Sequence, residues 1–341
     1  MTRRYFLIMA FFVSLTAAAM AQTSVTKTFT INGTTNSCVW HVPSGINKPP
    51  VVFFIHGANG SGGAFESETK GDVVADREKF IAVYPSASSN GGAGIWNDMS
   101  GTTNYPFFLA VIDTLDKRYT IDRDRVYMTG FSQGGFISFV AGCKYSNVFA
   151  AIAPVSGHAG STCTLKRPVP VFLTFGAQED KASFVSDINI WLKLDSCPST
   201  PTITHPYTGI TKISYGPCAQ GTFVIMDSVS GQGHQWPTKQ NQAEEVWAFF
   251  KPYSLGGTTG INQRTLSVPR DCITASYSSG IVRLQGAGES CRVRVTDTRG
   301  RVVAAAAAAK YQFAFKNRPA GGYLLTVSGN RGAASITLVI P

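Results

Sequence analysis

A chain of 341 residues, 44% hydrophobic and 11% aromatic, is long enough for one large folded domain with a small one beside it. Its net charge of +10 suggests a polyanionic partner until that charge is divided along the chain. Residues 255–341 hold 11 Arg and Lys against 3 Asp and Glu, the first 21 residues hold two arginines, and the stretch between carries 17 of each sign. The basic excess therefore belongs to the tail, and the charge case for a nucleic-acid-binding core falls away.

Thr2-Arg3-Arg4, the apolar run "YFLIMAFFVSL" and the small-x-small Ala19-Met20-Ala21 have the layout of a secretory leader, so residues 1–21 are expected to be removed on export. The apolar run is short for a membrane span, and no later stretch is long and apolar enough for one. From about Thr26 to Pro43, alternation predicts two antiparallel strands turning near Asn32-Gly33. "PPVVFFIHG" is continuously apolar, as a strand buried on both faces must be. Strand and helix then alternate: a helix near 70–79, "FIAVYP", the helix "YPFFLAVIDTLDKRY", "RVYMTG", the helix "GGFISFVAGCKY", "FAAIAPVSG", "VPVFLTFG", a helix over 181–194, "TFVIMDSV" and the helix "QNQAEEVWAFF". That succession predicts an α/β fold, a mostly parallel sheet with helices on both faces, over residues 22–253. The stretches 85–103 and 198–220 read as loops.

Residues 254–268 lose periodicity and fill with Gly, Thr and Ser, the composition of a linker. Residues 269–341 carry only short alternating strands between Gly-rich turns, as a small C-terminal β-sandwich would. The alanines 304–309 interrupt them and read as a loop or frayed strand. Export would make the seven cysteines candidates for disulfides. Proximity pairs Cys143 with Cys163, Cys197 with Cys218 and Cys272 with Cys291, leaving Cys38 single, although spacing alone does not fix connectivity.

The chemistry centres on "TGFSQGG". Gly130-x-Ser132-x-Gly134 falls directly between a predicted strand and a predicted helix, the setting in which such a serine stands clear on a strained turn. A serine nucleophile needs a base to take its proton. Of five histidines, His41 lies in a strand, His205 in a polar loop, His158 too early in the chain order, and His56 in the glycine loop "IHGANG". His234, in "GQGHQWP" between the last sheet strand and the last helix, is the expected base. The acid that orients it should follow "PVFLTFG", where Glu179 and Asp180 stand side by side; register prefers Glu179, with Asp180 as the alternative. The backbone N–H groups of Gln133 and of a residue near Ala58 are the expected donors to a developing oxyanion. Trp236 and Trp96 are the aromatic candidates for contact with a sugar or a phenolic acyl group. No H-E-x-x-H, P-loop or dinucleotide fingerprint is present, so no metal or organic cofactor is expected.

Together "FFIHGANGSGG", "WND", "AVIDTLDKRYTIDRDRVYMTGFSQGG", "FAAIAPVSG", "PVPVFLTFGAQED" and "GQGHQWP" resemble the secreted esterases of the polyhydroxybutyrate-depolymerase-like, or carbohydrate esterase family 1, group across roughly residues 36–252. The resemblance implies an α/β-hydrolase with Ser132 as nucleophile and His234 as base, acting through an acyl-enzyme on acetyl or feruloyl esters of plant xylan, or less often on polyesters. It also implies a disulfide between Cys197 and Cys218. One departure stands out: where the family usually has Gly-Thr-x-Asp, this chain has Gly176-Ala177-Gln178-Glu179. A carbohydrate-binding protein on a hydrolase scaffold without turnover is the rival reading, and the missing aspartate is its motive. The tail, with "VTDTRGRVV" and "NRPAGGYLLTVSGNRGAASITLVIP", resembles the C-terminal sorting domains of bacteria with a type IX secretion system, which implies a secretion-machinery partner. All five tryptophans precede it, so it lacks the aromatic platform of the alternative, a carbohydrate-binding module.

Overall fold

In a computed structural model, the structure describes residues 23–88, 94–96, 104–160 and 163–258, and beyond them seven C-terminal strands. The leader, most of the linker and Cys272 lie outside the described residues. The chain divides into two units, residues 1–259 and 260–341.

In the first unit, β1 (Thr23–Ile31) and β2 (Thr34–Val42) pair antiparallel through Asn32-Gly33, both at positive φ as a two-residue hairpin demands. There follow β3 (Val51–Ile55), α1 (Gly62–Thr69), α2 (Gly71–Glu78), β4 (Ile81–Ser86), α3 (Asn104–Tyr119), β5 (Val126–Phe131) and α4 (Gln133–Lys144). Next come β6 (Ala151–Val155), β7 (Val171–Gly176), α5 (Lys181–Leu194), β8 (Thr202–Thr204), β9 (Ile210–Tyr215), β10 (Val224–Val229) and α6 (Gln242–Phe250). The strands form one ten-stranded sheet in the order β1-β2-β4-β3-β5-β6-β7-β10-β9-β8. Its centre, β4 through β10, is parallel, and an antiparallel pair closes each edge.

Helices cover both faces, which is why β3 reads as unbroken apolar sequence: all five of its residues are buried. Val51, Phe53 and Ile55 meet α3 and α4, whereas Val52 and Phe54 pack in the cluster with α1, α2 and α6. Further along the sheet, α5 brings Phe184, Ile188 and Trp191 against Leu173, Phe175 and Met226. No helix among the described residues is long and apolar enough to cross a membrane.

Several expectations need correction. "GGAFESET" forms α1, N-capped by the Ser61 side chain, which accepts from the Ala64 N–H; its short, weakly amphipathic run hid it. The stretch 198–220 contains the β8–β9 hairpin, tied by the Cys197–Cys218 disulfide. The catalytic-sized unit does not stop at 253: β11 (Tyr253–Ser254) and β12 (Gly257–Thr258) form a tight hairpin where a linker was expected to begin. Tyr253 is buried under α6, its carbonyl accepts from the Tyr127 hydroxyl at 2.5 Å, and Leu255 N–H donates to Asp124 O. Cys143 and Cys163 are bonded as proximity suggested, and Cys38 is a buried free thiol.

The second unit contains a three-stranded antiparallel sheet, β13 (Thr274–Ser278), β14 (Ile281–Gln285) and β17 (Gln312–Ala314). A four-stranded one has the order β16 (Val302–Ala308), β15 (Cys291–Asp297), β18 (Gly321–Gly329), β19 (Gly332–Ile340). Most of the alanine run is thus in a ladder: pairing with β15 supplies what alanine's own propensity does not.

Candidate active site

Ser132 sits between the end of β5 and the start of α4 with φ 54° and ψ −112°, a backbone conformation unusual for a residue with a side chain. Two neighbours make it possible. A Cβ on Gly134 would lie 2.0 Å from the Ile55 carbonyl oxygen, and one on Gly130 would lie 2.6 Å from Gly134, so only hydrogens fit there. The turn is pinned by Ser132 N–H donating to Val155 O at 2.9 Å, and Phe136 N–H takes the Ser132 carbonyl as helix begins.

The expected base and acid arrive from neighbouring strands. β7 and β10 are paired in parallel with Gly176 opposite Val229, so the loops that follow them leave the same sheet end side by side. A Cβ at Gly176 would fall 2.3 Å from the Gly233 carbonyl, and its absence lets the 230–235 loop close down over β7. His234 Nε2 then lies 2.8 Å from Ser132 Oγ, and its Nδ1 lies 2.6 Å from Glu179 Oε2. The ring rests on Phe131, 4.9 Å between centroids.

Glu179 is held from its other side. Oε1 accepts from the Gly176 N–H at 2.8 Å and from the Ser156 hydroxyl at 2.7 Å. Three donors converge on one carboxylate, so it is an acceptor throughout, and the imidazole facing it must carry its proton on Nδ1. The Nε2 lone pair is thereby aimed at the Ser132 hydroxyl. Asp180, the alternative acid, is occupied elsewhere: it caps α5, accepting from the Ala182 N–H at 3.1 Å and the Ser183 hydroxyl at 2.5 Å. Those bonds hold its carboxyl below the ordinary carboxylate range.

The glycine loop after β3 comes beside the turn: a Cβ on Gly57 would stand 3.3 Å from Ser132 Cβ. Ala58 is exposed there, and among the described residues neither its N–H nor that of Gln133 has an acceptor. His56 props this loop from inside. It is buried, Nδ1 donates to Gly57 O at 2.6 Å and Nε2 accepts from the Ala87 N–H at 3.1 Å; burial lowers its pKa, which suits the neutral ring those bonds require.

Residues 94–96 strap the two parts together. Asn59 N–H donates to Gly94 O at 2.9 Å, the Trp96 indole N–H donates to His56 O at 3.0 Å, and the Gln133 side chain accepts the Trp96 N–H at 3.0 Å. Trp96 is therefore not at the surface to meet a substrate: it is 1% exposed, its ring lies against His56 and Phe108, and its one donor is spent on backbone. Trp236 is also buried, edge-on to Phe65 of α1, but it borders an open cleft. Sequence reasoning missed Ser156, Phe131 and the side chain of Gln133, whose neighbours are visible only once strands are laid side by side. Of the remaining histidines, His41 is buried against Asp76, His158 pairs with Asp187 and His205 is exposed. Among the described residues no group of three His, Cys, Asp or Glu is placed to hold a metal ion.

Comparison with known proteins agrees with this architecture. Residues 37–202 match the family model described as Esterase PHB depolymerase. A bifunctional acetylxylan esterase/xylanase from Neocallimastix patriciarum is 30% identical over 220 residues, 61% of this chain and 32% of that protein. Feruloyl esterase B from Piromyces equi is 23% identical over 245 residues, 62% of this chain and 44% of that one. Poly(3-hydroxyalkanoate) depolymerase C from Paucimonas lemoignei is 30% identical over 125 residues, 34% of this chain and 30% of its own length. The chain thus spans between three-tenths and under half of these relatives. Among solved structures, the acetyl xylan esterase from Aspergillus awamori superposes with a TM-score of 0.54 at 17% identity, over 67% of this chain and 99% of that one. The fold of the first unit is the α/β-hydrolase fold.

Proposed function

We propose that this chain is a serine carboxylic ester hydrolase acting on acetyl or feruloyl esters of plant cell-wall polysaccharide through an acyl-enzyme. The observation that carries the reading is the continuous relay from Ser132 Oγ through His234 to Glu179, at 2.8 and 2.6 Å, on a strained strand-to-helix turn.

In the first half-reaction His234 Nε2 takes the Ser132 proton as Oγ bonds to the ester carbonyl carbon. The carbonyl electrons move onto oxygen, where the Ala58 and Gln133 N–H groups are the proposed donors. Removing one such donor in a comparable site costs roughly 100- to 1,000-fold in turnover. Glu179 stabilises the imidazolium, which hands its proton to the departing alcohol as the C–O bond breaks. Water then enters, loses a proton to His234 and attacks the acyl carbon; Ser132 leaves with that proton restored and the acid is released.

Relatives named for acetylxylan, feruloyl and polyhydroxyalkanoate esters support the ester class, and the last makes a polyester the second reading. The leader-like start and two disulfides support export, with the C-terminal unit as its address. The deciding experiment measures initial rates on acetylated xylan, methyl ferulate and short polyhydroxybutyrate beside a Ser132→Ala control. Acetate or ferulate release that vanishes in the control upholds the reading. Hydroxybutyrate release alone moves the substrate to the polyester, and no release from any of the three favours a binding protein.

A further inference from the structure

His158 takes no part in the relay, yet its loop is built against it. Val155 O accepts the Ser132 N–H and the Ser156 hydroxyl holds Glu179, so the loop after β6 begins between the serine and the acid. A Cβ on Gly157 would lie 2.5 Å from the Gly135 carbonyl carbon and the Phe136 nitrogen, so the loop is pressed onto the first turn of α4. His158 follows directly, at most about 7 Å along the chain from Ser156.

Its ring is fixed as a solvated histidine is not. Nδ1 lies 2.7 Å from Oδ2 of Asp187, a buried residue of α5, and the ring stacks on Phe184 with 4.6 Å between centroids and 13° between planes. Phe184 stacks in turn on Phe175 of β7. A carboxylate only accepts, so the ring proton is on Nδ1 and the Nε2 lone pair is turned away from Asp187. That corner of the ring is reachable: the side chain is 52% exposed, and Nε2 has no hydrogen-bond partner among the described residues. A buried carboxylate thus aims an accessible acceptor, as Glu179 does for His234. An acceptor with a carboxylate behind it suits a hydroxyl group, which donates, and repels an anion.

We propose that His158 is a substrate-binding residue whose Nε2 accepts a hydrogen bond from a hydroxyl group of the ester, on the sugar or on a phenolic acyl group. The proposal rests on the esterase reading for its substrate, but one of its tests needs no turnover. A hydroxyl taken from water and left unpaired costs binding, so this contact discriminates between esters that differ by that one group.

Two measurements decide it. In the Ser132→Ala protein the ring Cε1–Hε1 NMR signal of His158, assigned by its loss in His158→Phe, is followed during titration with acetylated xylotriose, methyl ferulate and methyl cinnamate. Saturable movement with the xylotriose assigns a sugar hydroxyl. Movement with methyl ferulate exceeding that with methyl cinnamate, which has no hydroxyl, assigns a phenolic one. If neither holds, the proposal is overturned. In the active protein, His158→Phe keeps a flat ring over Phe184 and removes the acceptor. It is expected to lower the preference for the assigned ester over its hydroxyl-free counterpart, methyl cinnamate or p-nitrophenyl acetate, at least five-fold in kcat/KM and chiefly through KM. Equal losses on both esters overturn the proposal. Should His158→Phe unfold by leaving Asp187 unpaired, His158→Phe plus Asp187→Leu, which removes both partners, carries the same expectations. If the wild-type protein cuts none of these esters, the esterase reading fails while the NMR titration still decides His158.

Discussion

Replacing Glu179 with glutamine changes one oxygen to an amino group and nothing in shape, yet the surrounding bonds dictate a large loss. Oε1 receives the Gly176 N–H and the Ser156 hydroxyl, and Oε2 receives the His234 Nδ1 proton. A glutamine has one acceptor oxygen. The Gly176 N–H cannot reverse its role, so the amide oxygen turns toward it and the NH2 group faces His234. Nδ1 must then accept, the ring proton moves to Nε2, and Nε2 points a hydrogen at Ser132 in place of a lone pair. Triad variants with the wrong tautomer lose roughly 10,000-fold in kcat, and we expect ~1,000- to 10,000-fold here, about 4–5.5 kcal/mol of barrier. The assay is p-nitrophenyl acetate turnover at pH 8, with thermal melts confirming a folded variant and KM expected within a few-fold of wild type. A variant within ten-fold of wild-type kcat would refute the reasoning, as would the same loss arising from Asp180→Asn.

Asp180→Ala removes the N-cap of α5 and should lower the midpoint of urea unfolding with kcat unchanged within two-fold. Asp195 is fully buried, and that burial pushes its pKa up to about 7 against the Val169 N–H, Thr222 and Arg167, which pull it down. The folded state therefore holds the proton more tightly than the unfolded chain, so stability from this group is present below about pH 4 and is lost as pH rises to about 7. Asp195→Asn should flatten that part of a Tm–pH profile and raise Tm at pH 8; an unchanged slope counts against it. The Cys197–Cys218 disulfide spans 21 residues, and replacing both cysteines by serine should lower the unfolding free energy by about 3 kcal/mol, read by urea titration.

How much of this was legible in sequence depended on how local the cause was. The buried strands declared themselves because burial on both faces leaves unbroken apolar runs, as in "VVFFI". The Ser132 turn was readable because its glycines and serine are adjacent in the chain. The choice between Glu179 and Asp180 was not, since it turns on which carboxylate the Gly176 N–H and Ser156 hydroxyl hold, and Ser156 arrives from β6. Trp96 was misplaced for a related reason: a tryptophan near a glycine loop looks like a binding surface until its indole is found bonded to His56 O. The β8–β9 hairpin was missed because β8 is only three exposed residues long, too short for a period.

The sheet order has a consequence for how the proposed relay is assembled. Ser132 and His234 are 102 residues apart, and His234 follows β10, which pairs with β7 on one side and with β9 on the other. A chain folded through β6 has its serine turn complete and no relay. On the proposed relay, turnover regained during refolding requires β10 docked on β7 as well as a collapsed core.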